Sequence, residues 1–101
     1  MSHQQQLLVL SIPPALSDSL VDWLLKNENA TGFTSSTAWG HSSDTRNYNI
    51  TEQVTGRQKR VQFQLVGKTD AIQDLISHLK TDFHGTGVHY WIVPILDEGD
   101  L

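Results

Sequence analysis

Three cations crowd one short stretch. Arg57, Lys59 and Arg60 fall within EQVTGRQKR (52–60), in a chain with 7 Lys and Arg against 11 Asp and Glu. Guanidinium forks bind phosphate and carboxylate in bidentate geometry, so the chemistry this cluster suggests is anion binding. Two plainer readings stand beside it. Charges flanking a strand blunt edge-to-edge aggregation, and Glu52 can pair with Arg57 or Arg60 as an internal salt bridge. Alternation along an extended chain puts Arg57, Lys59 and Val61 on one side and Arg60 on the other. All three therefore meet one ligand only if Gly56 turns the chain or a subunit interface brings two together.

The histidines are the second set with chemical potential. His41 ends a strand at the mouth of a long polar segment, and His84 and His89 flank a short glycine loop where they can approach each other. Imidazole suits Zn, Cu or Ni without thiolate, so a metal site from His41, His84 or His89, shared across subunits, stands against ordinary surface histidine. His78 lies between Asp74 and Asp82 on a solvated helix face, and His3 is expected to be mobile. No cysteine is present, which removes disulfides, thiolate ligands and a thiol nucleophile. With no nucleophile elbow, triad or paired carboxylates in an apolar setting, the chain reads as non-enzymatic.

Nucleic acid is excluded on two counts. The net charge is -4, whereas nucleic-acid affinity comes from Lys and Arg neutralising phosphates. An RNA-recognition strand needs several stacking aromatics, and GRQKRVQFQL offers only Phe63. The first apolar run, LLVLSI, is too short to insert in a membrane, and no basic n-region precedes it; with the lack of cysteine this fits a cytoplasmic protein.

The elements that must position these residues follow from periodicity. Leu7–Ile12 is a nearly continuous apolar run, as expected of a central strand. Pro13 and Pro14 end it, and a helix follows over about 14–26 with Leu16, Leu20, Trp23 and Leu24 on one face. Residues 32–41 alternate as a strand, with Phe33, Ser35, Thr37 and Trp39 on one face. From 42 to 58 no period appears, and a structureless loop this long is often functional. Residues 59–67 alternate again. Thr69 is the expected N-cap of a helix carrying Ile72, Leu75, Ile76, Leu79 and Phe83. The last strand, 88–95, contains Pro94, which cannot donate to a ladder and so belongs on an edge. An acidic tail, 96–101, follows.

The order β-α-β-β-α-β predicts an α+β, ferredoxin-like sandwich in a single domain over 1–101, with an antiparallel four-stranded sheet and two helices on one face. The first and last strands are apolar on both faces, so the uncovered sheet face is an apolar patch that marks a partner surface. A homo-oligomer packed sheet on sheet is expected, the alternative being that the tail or long loop folds over that face.

The segments EQVTGRQKRV (52–61) and GVHYWIVP (87–94) resemble those of an uncharacterised bacterial family within the PII-like superfamily, which includes the nitrogen-regulatory PII proteins. The likeness covers nearly the whole chain. It implies a homotrimer whose long loop, 42–58 here, corresponds to the T-loop. Ligands (nucleotides, other anions or metal ions) sit in clefts between subunits at the loop's base. On that reading Arg57, Lys59, Arg60, Glu52 and Gly87 are the ligand-binding candidates. Arg46 and Tyr48 are the loop residues that meet an unidentified protein partner. The chain departs from nucleotide-binding PII proteins at HGTG (84–87), where they carry a long, basic, glycine-rich phosphate loop. The related CutA-like divalent-cation tolerance proteins supply the alternative function, with the histidines as ligands.

Overall fold

The computed structural model describes residues 4–44, 46 and 48–101; His3 lies outside them. Four strands, β1 (Gln5–Ile12), β2 (Thr34–Gly40), β3 (Gln58–Lys68) and β4 (His89–Ile95), form one sheet in the order β2-β3-β1-β4. Every pairing is antiparallel. Helices α1 (Ser17–Leu25) and α3 (Thr69–Asp82) make the two crossovers. The α+β sandwich expected from the sequence is therefore present, with the apolar first strand central and the strand bearing Pro94 at an edge.

The core is built from the two periods meeting. Leu8, Leu10 and Ile12 alternate along β1 and pair with Leu65, Phe63 and Val61 of β3. Onto this face α1 sets Leu20 and Leu24, and α3 sets Ile72, Leu75, Ile76 and Leu79 at helical spacing. The two helices meet at an edge-to-face contact between Trp23 and Phe83, 5.8 Å between ring centroids. There the Trp23 indole N–H donates to Asp82 at 2.7 Å. This single packed layer fixes the sheet, and with it the ends of β2 and β3 that carry the candidate site.

The opposite sheet face is only partly covered among the described residues: Val9 is buried there. Trp91, Val93 and Val66 stay 38–41% exposed there, alongside the half-buried Leu7 and Ile95. Leu96, first residue of the tail, is fully exposed, so the tail does not lie over this face.

Two expectations need correction. The segment 42–58 is not structureless: it contains α2 (Ile50–Thr55). A capping box starts it. The Asn49 side chain accepts from the Glu52 N–H at 2.8 Å, and the Glu52 carboxylate accepts from the Asn49 N–H at 3.0 Å. Gly56, at φ 73°, ends it in the left-handed region. The second correction concerns Thr69, which is the first residue of α3 rather than its N-cap; Lys68 holds that position. The Thr69 N–H and hydroxyl both donate to the Gln4 carbonyl, which ties the start of α3 to the start of β1.

Candidate functional site

From Tyr48 on, the described residues of this segment fold back onto β2. Tyr48 is buried, its hydroxyl donates to the Gly40 carbonyl at 3.3 Å, and the Gln53 amide donates to the Tyr48 carbonyl at 3.0 Å. Tyr48 is thus an internal anchor of the loop rather than a surface contact. Arg46 does lie at the surface, in a two-pronged pair with Asp44 at 2.6 and 2.9 Å. The guanidinium holds the Asp44 carboxyl below its usual range. Glu52 is spent on the capping box and forms no ion pair with Arg57 or Arg60 among the described residues.

The return of the loop delivers the basic cluster, and the pleat divides it. Arg57 stacks on Trp39, with the guanidinium carbon 4.1 Å from the ring centroid, a contact worth about 0.5–1 kcal/mol at an exposed site. Trp39 is 48% exposed and faces Lys59 directly in the β2–β3 register. Arg57, Lys59 and Trp39 therefore share one side of the sheet. Neither cation has a carboxylate within salt-bridge distance among the described residues.

Arg60 goes to the other side. It crosses toward β1, where its Nε donates to the Ser11 hydroxyl at 3.1 Å and one terminal nitrogen donates to the Ser11 carbonyl at 2.7 Å. The same nitrogen donates to the Gly87 carbonyl at 2.9 Å. Partial burial pushes the guanidinium pKa down, since desolvation disfavours the charged form. Arg60 is a tie between β3, β1 and the loop before β4, and it is not brought together with Arg57 and Lys59.

Gly87 belongs to that tie. It sits at φ 89°, and a Cβ there would meet the Pro13 Cγ at 3.2 Å. Gly87→Ala therefore combines a left-handed cost of about 1–2 kcal/mol with a ring contact that has to give. We expect a melting temperature lower by about 5–10 °C, checked by thermal denaturation.

The histidines are dispersed. His41 is exposed beyond β2. His89 stacks on Trp91, at 5.7 Å between centroids, on the open sheet face. His84 lines a cavity of about 170 Å³ on the helix side, with Leu10, Leu79, Lys80, Phe83 and Tyr90. His84 and His89 thus have different surroundings, the helix-side cavity for one and Trp91 for the other. Among the described residues no three of His, Cys, Asp and Glu gather as a metal set. Nor is any described helix long and apolar enough to cross a membrane.

Sequence reasoning missed Trp39 and Ser11 as partners of the cluster. The strand alternation gives each its side of the sheet. The register that places Trp39 opposite Lys59 depends on how the long loop folds.

Comparison with known proteins supports the same architecture. A DUF3240 family protein from Shewanella baltica OS155 superposes with a TM-score of 0.78 at 25% identity, over 99% of both chains. CPII, a nitrogen regulatory PII-like protein from Thiomonas intermedia K12 bound to ADP, AMP and bicarbonate, gives 0.71 at 12% identity over 98% of both. CutA1 from Pyrococcus horikoshii gives 0.71 at 12% identity, over 94% of this chain and 87% of that one. At such identities the last two show the fold alone, which is that of PII-like and CutA proteins. No functionally curated protein matches the chain. The family model described as "Protein of unknown function (DUF3240)" matches residues 2–101, and the chain belongs to that family.

Proposed function

We propose that this protein is a non-enzymatic, cytoplasmic PII-like regulator, a homotrimer assembled through the open sheet face. It takes a small anion, either free or as the phosphate of a nucleotide, on Arg57 and Lys59. The observation that carries this reading is the pair of cations beside an exposed Trp39, without a carboxylate partner among the described residues. Such a pair is ready to form charge-assisted bonds. The bound ligands of CPII, on the same fold, support the anion class. Arg60 is left out of this pair because its Nε and one terminal nitrogen already bond Ser11 and Gly87. The ligand orders the loop that carries Arg46, and the loop presents the result to a protein partner, an order–disorder switch.

The test is a thermal-shift screen with AMP, ADP, bicarbonate, phosphate and divalent metals. A ligand at about 100 times its Kd stabilises the folded state by about 2.7 kcal/mol. We expect an anion to raise the melting temperature of the wild type by several degrees and to leave Arg57→Ala/Lys59→Ala unmoved, with the assembled mass the same in both. Undiminished stabilisation in the double variant overturns the site. Stabilisation by a divalent metal alone, abolished in His41→Ala/His89→Ala, supports the cation-handling alternative instead.

A further inference from the structure

Next to the candidate site in the chain, α2 exposes apolar side chains. α2 presents Ile50 and Val54, one helical turn apart, at 80% and 81% exposure, and leads through Gly56 directly into Arg57 over Trp39. A helix this short has too few hydrogen bonds to persist on its own. It is set by a complete capping box, yet its large apolar side chains point outward. The short stretch 50–59 therefore exposes apolar and basic side chains close together in the chain: Ile50 and Val54 on α2, then Arg57 and Lys59 beside Trp39.

The chain carries one segment of the complementary kind. Residues 96–101, LDEGDL, hold three acids between two terminal leucines, and Leu96 and Leu101 are fully exposed. The segment does not reach its own chain's cations. Ile95 lies opposite Gln5, and Gln5 opposite Lys68. Lys68 is nine residues along β3 from Lys59, about 30 Å at strand rise. Six residues fully extended span about 20 Å. The two surfaces meet only between copies.

We propose that residues 96–101 of one copy dock on the Ile50–Val54–Trp39–Arg57–Lys59 surface of another copy. Asp97, Glu98 and Asp100 face the two cations while no anion occupies them, and the leucines cover α2. This rests on the oligomer proposed above and adds a contact distinct from sheet packing.

The chain has no cysteine, so single introduced thiols report this contact cleanly. Gly99, where an added Cβ meets nothing within 4 Å, takes the first, Gly99→Cys. Exposed Thr51 on α2 takes the second, Thr51→Cys, and exposed Ser19 on α1 is the control, Ser19→Cys. Variants are co-assembled in pairs, oxidised mildly and read on non-reducing gels, with the mass set by light scattering. We expect the Gly99→Cys chain to bridge Thr51→Cys chains at least ten times faster than Ser19→Cys chains. Adding Arg57→Glu and Lys59→Glu to the Thr51→Cys chain should remove that preference. Equal rates in an assembled protein, or a preference indifferent to charge reversal, overturn the tail contact alone. A single-chain mass for the wild type overturns it together with the assembly.

Discussion

Phe63→Ala is expected to remove about 3–5 kcal/mol of stability, the range for truncating a buried aromatic. Phe63 is completely buried at the centre of β3, opposite Leu10 in one register and Ser35 in the other. It stacks at a tilt on Phe33, at 5.9 Å between centroids. Every layer of the sandwich touches this point, so the neighbours have little freedom to collapse into the space left behind. A domain of this size holds about 5–15 kcal/mol in total, so the loss is a large share of it. Urea denaturation checks it as a lower midpoint with an unchanged slope. Gln73→Ala, on the exposed side of α3, is the control and should move stability by no more than about 0.5 kcal/mol. A Phe63→Ala effect within that same range would mean the core is not organised around β3.

Phe63 also shows what was legible in the sequence. Its place follows from alternation with Val61 and Leu65 and from the need for an apolar partner strand, which the run 7–12 supplies. Both rest on periods of the chain, which are local. The helix α2 was equally legible in principle. Asn49 and Glu52 stand at capping-box spacing, and Gly56 closes the turn. The signal was lost because Ile50 and Val54 give only one turn of periodicity, too little to mark a helix face by itself. The destinations of Arg57 and Arg60 are of a different kind. Alternation separates them, but which partner each finds depends on register. β2 and β3 are joined by a loop whose geometry no local period fixes. Trp39 lies opposite Lys59 in the β2–β3 register, beside the Tyr48 hydroxyl's bond to Gly40. Arg60 reaches Ser11 and Gly87 only because β1 lies between β3 and β4. The site candidates were thus visible as residue types, and their division into a surface pair and a structural tie was not.

Val93→Glu should take the proposed assembly apart while leaving the chain folded. Val93 points to the sheet face away from the helices and is 41% exposed in the single chain, as is Val66; Trp91 is 38% exposed. A carboxylate here is solvated when the chain is alone, so the core loses little. In the proposed oligomer the same carboxylate enters a sheet-on-sheet interface and meets other apolar side chains. Of the described residues near it on this face, Leu7, Val66 and Ile95 carry no side-chain donor, and the single indole N–H of Trp91 does not match the lost hydration. Burying an unpaired charge costs several kcal/mol per ion, and each 1.4 kcal/mol is tenfold in affinity. Association should therefore weaken by about 100-fold or more. Light scattering at micromolar concentration should give a single-chain mass for Val93→Glu and an unchanged circular dichroism spectrum. Leu25→Glu, at 70% exposure on α1, should keep the wild-type mass. A Val93→Glu protein that keeps it too would move the contact between copies off this face. The apolar open side of β1 and β4 would then need a different partner, because side chains this large and this contiguous are not left in water without one.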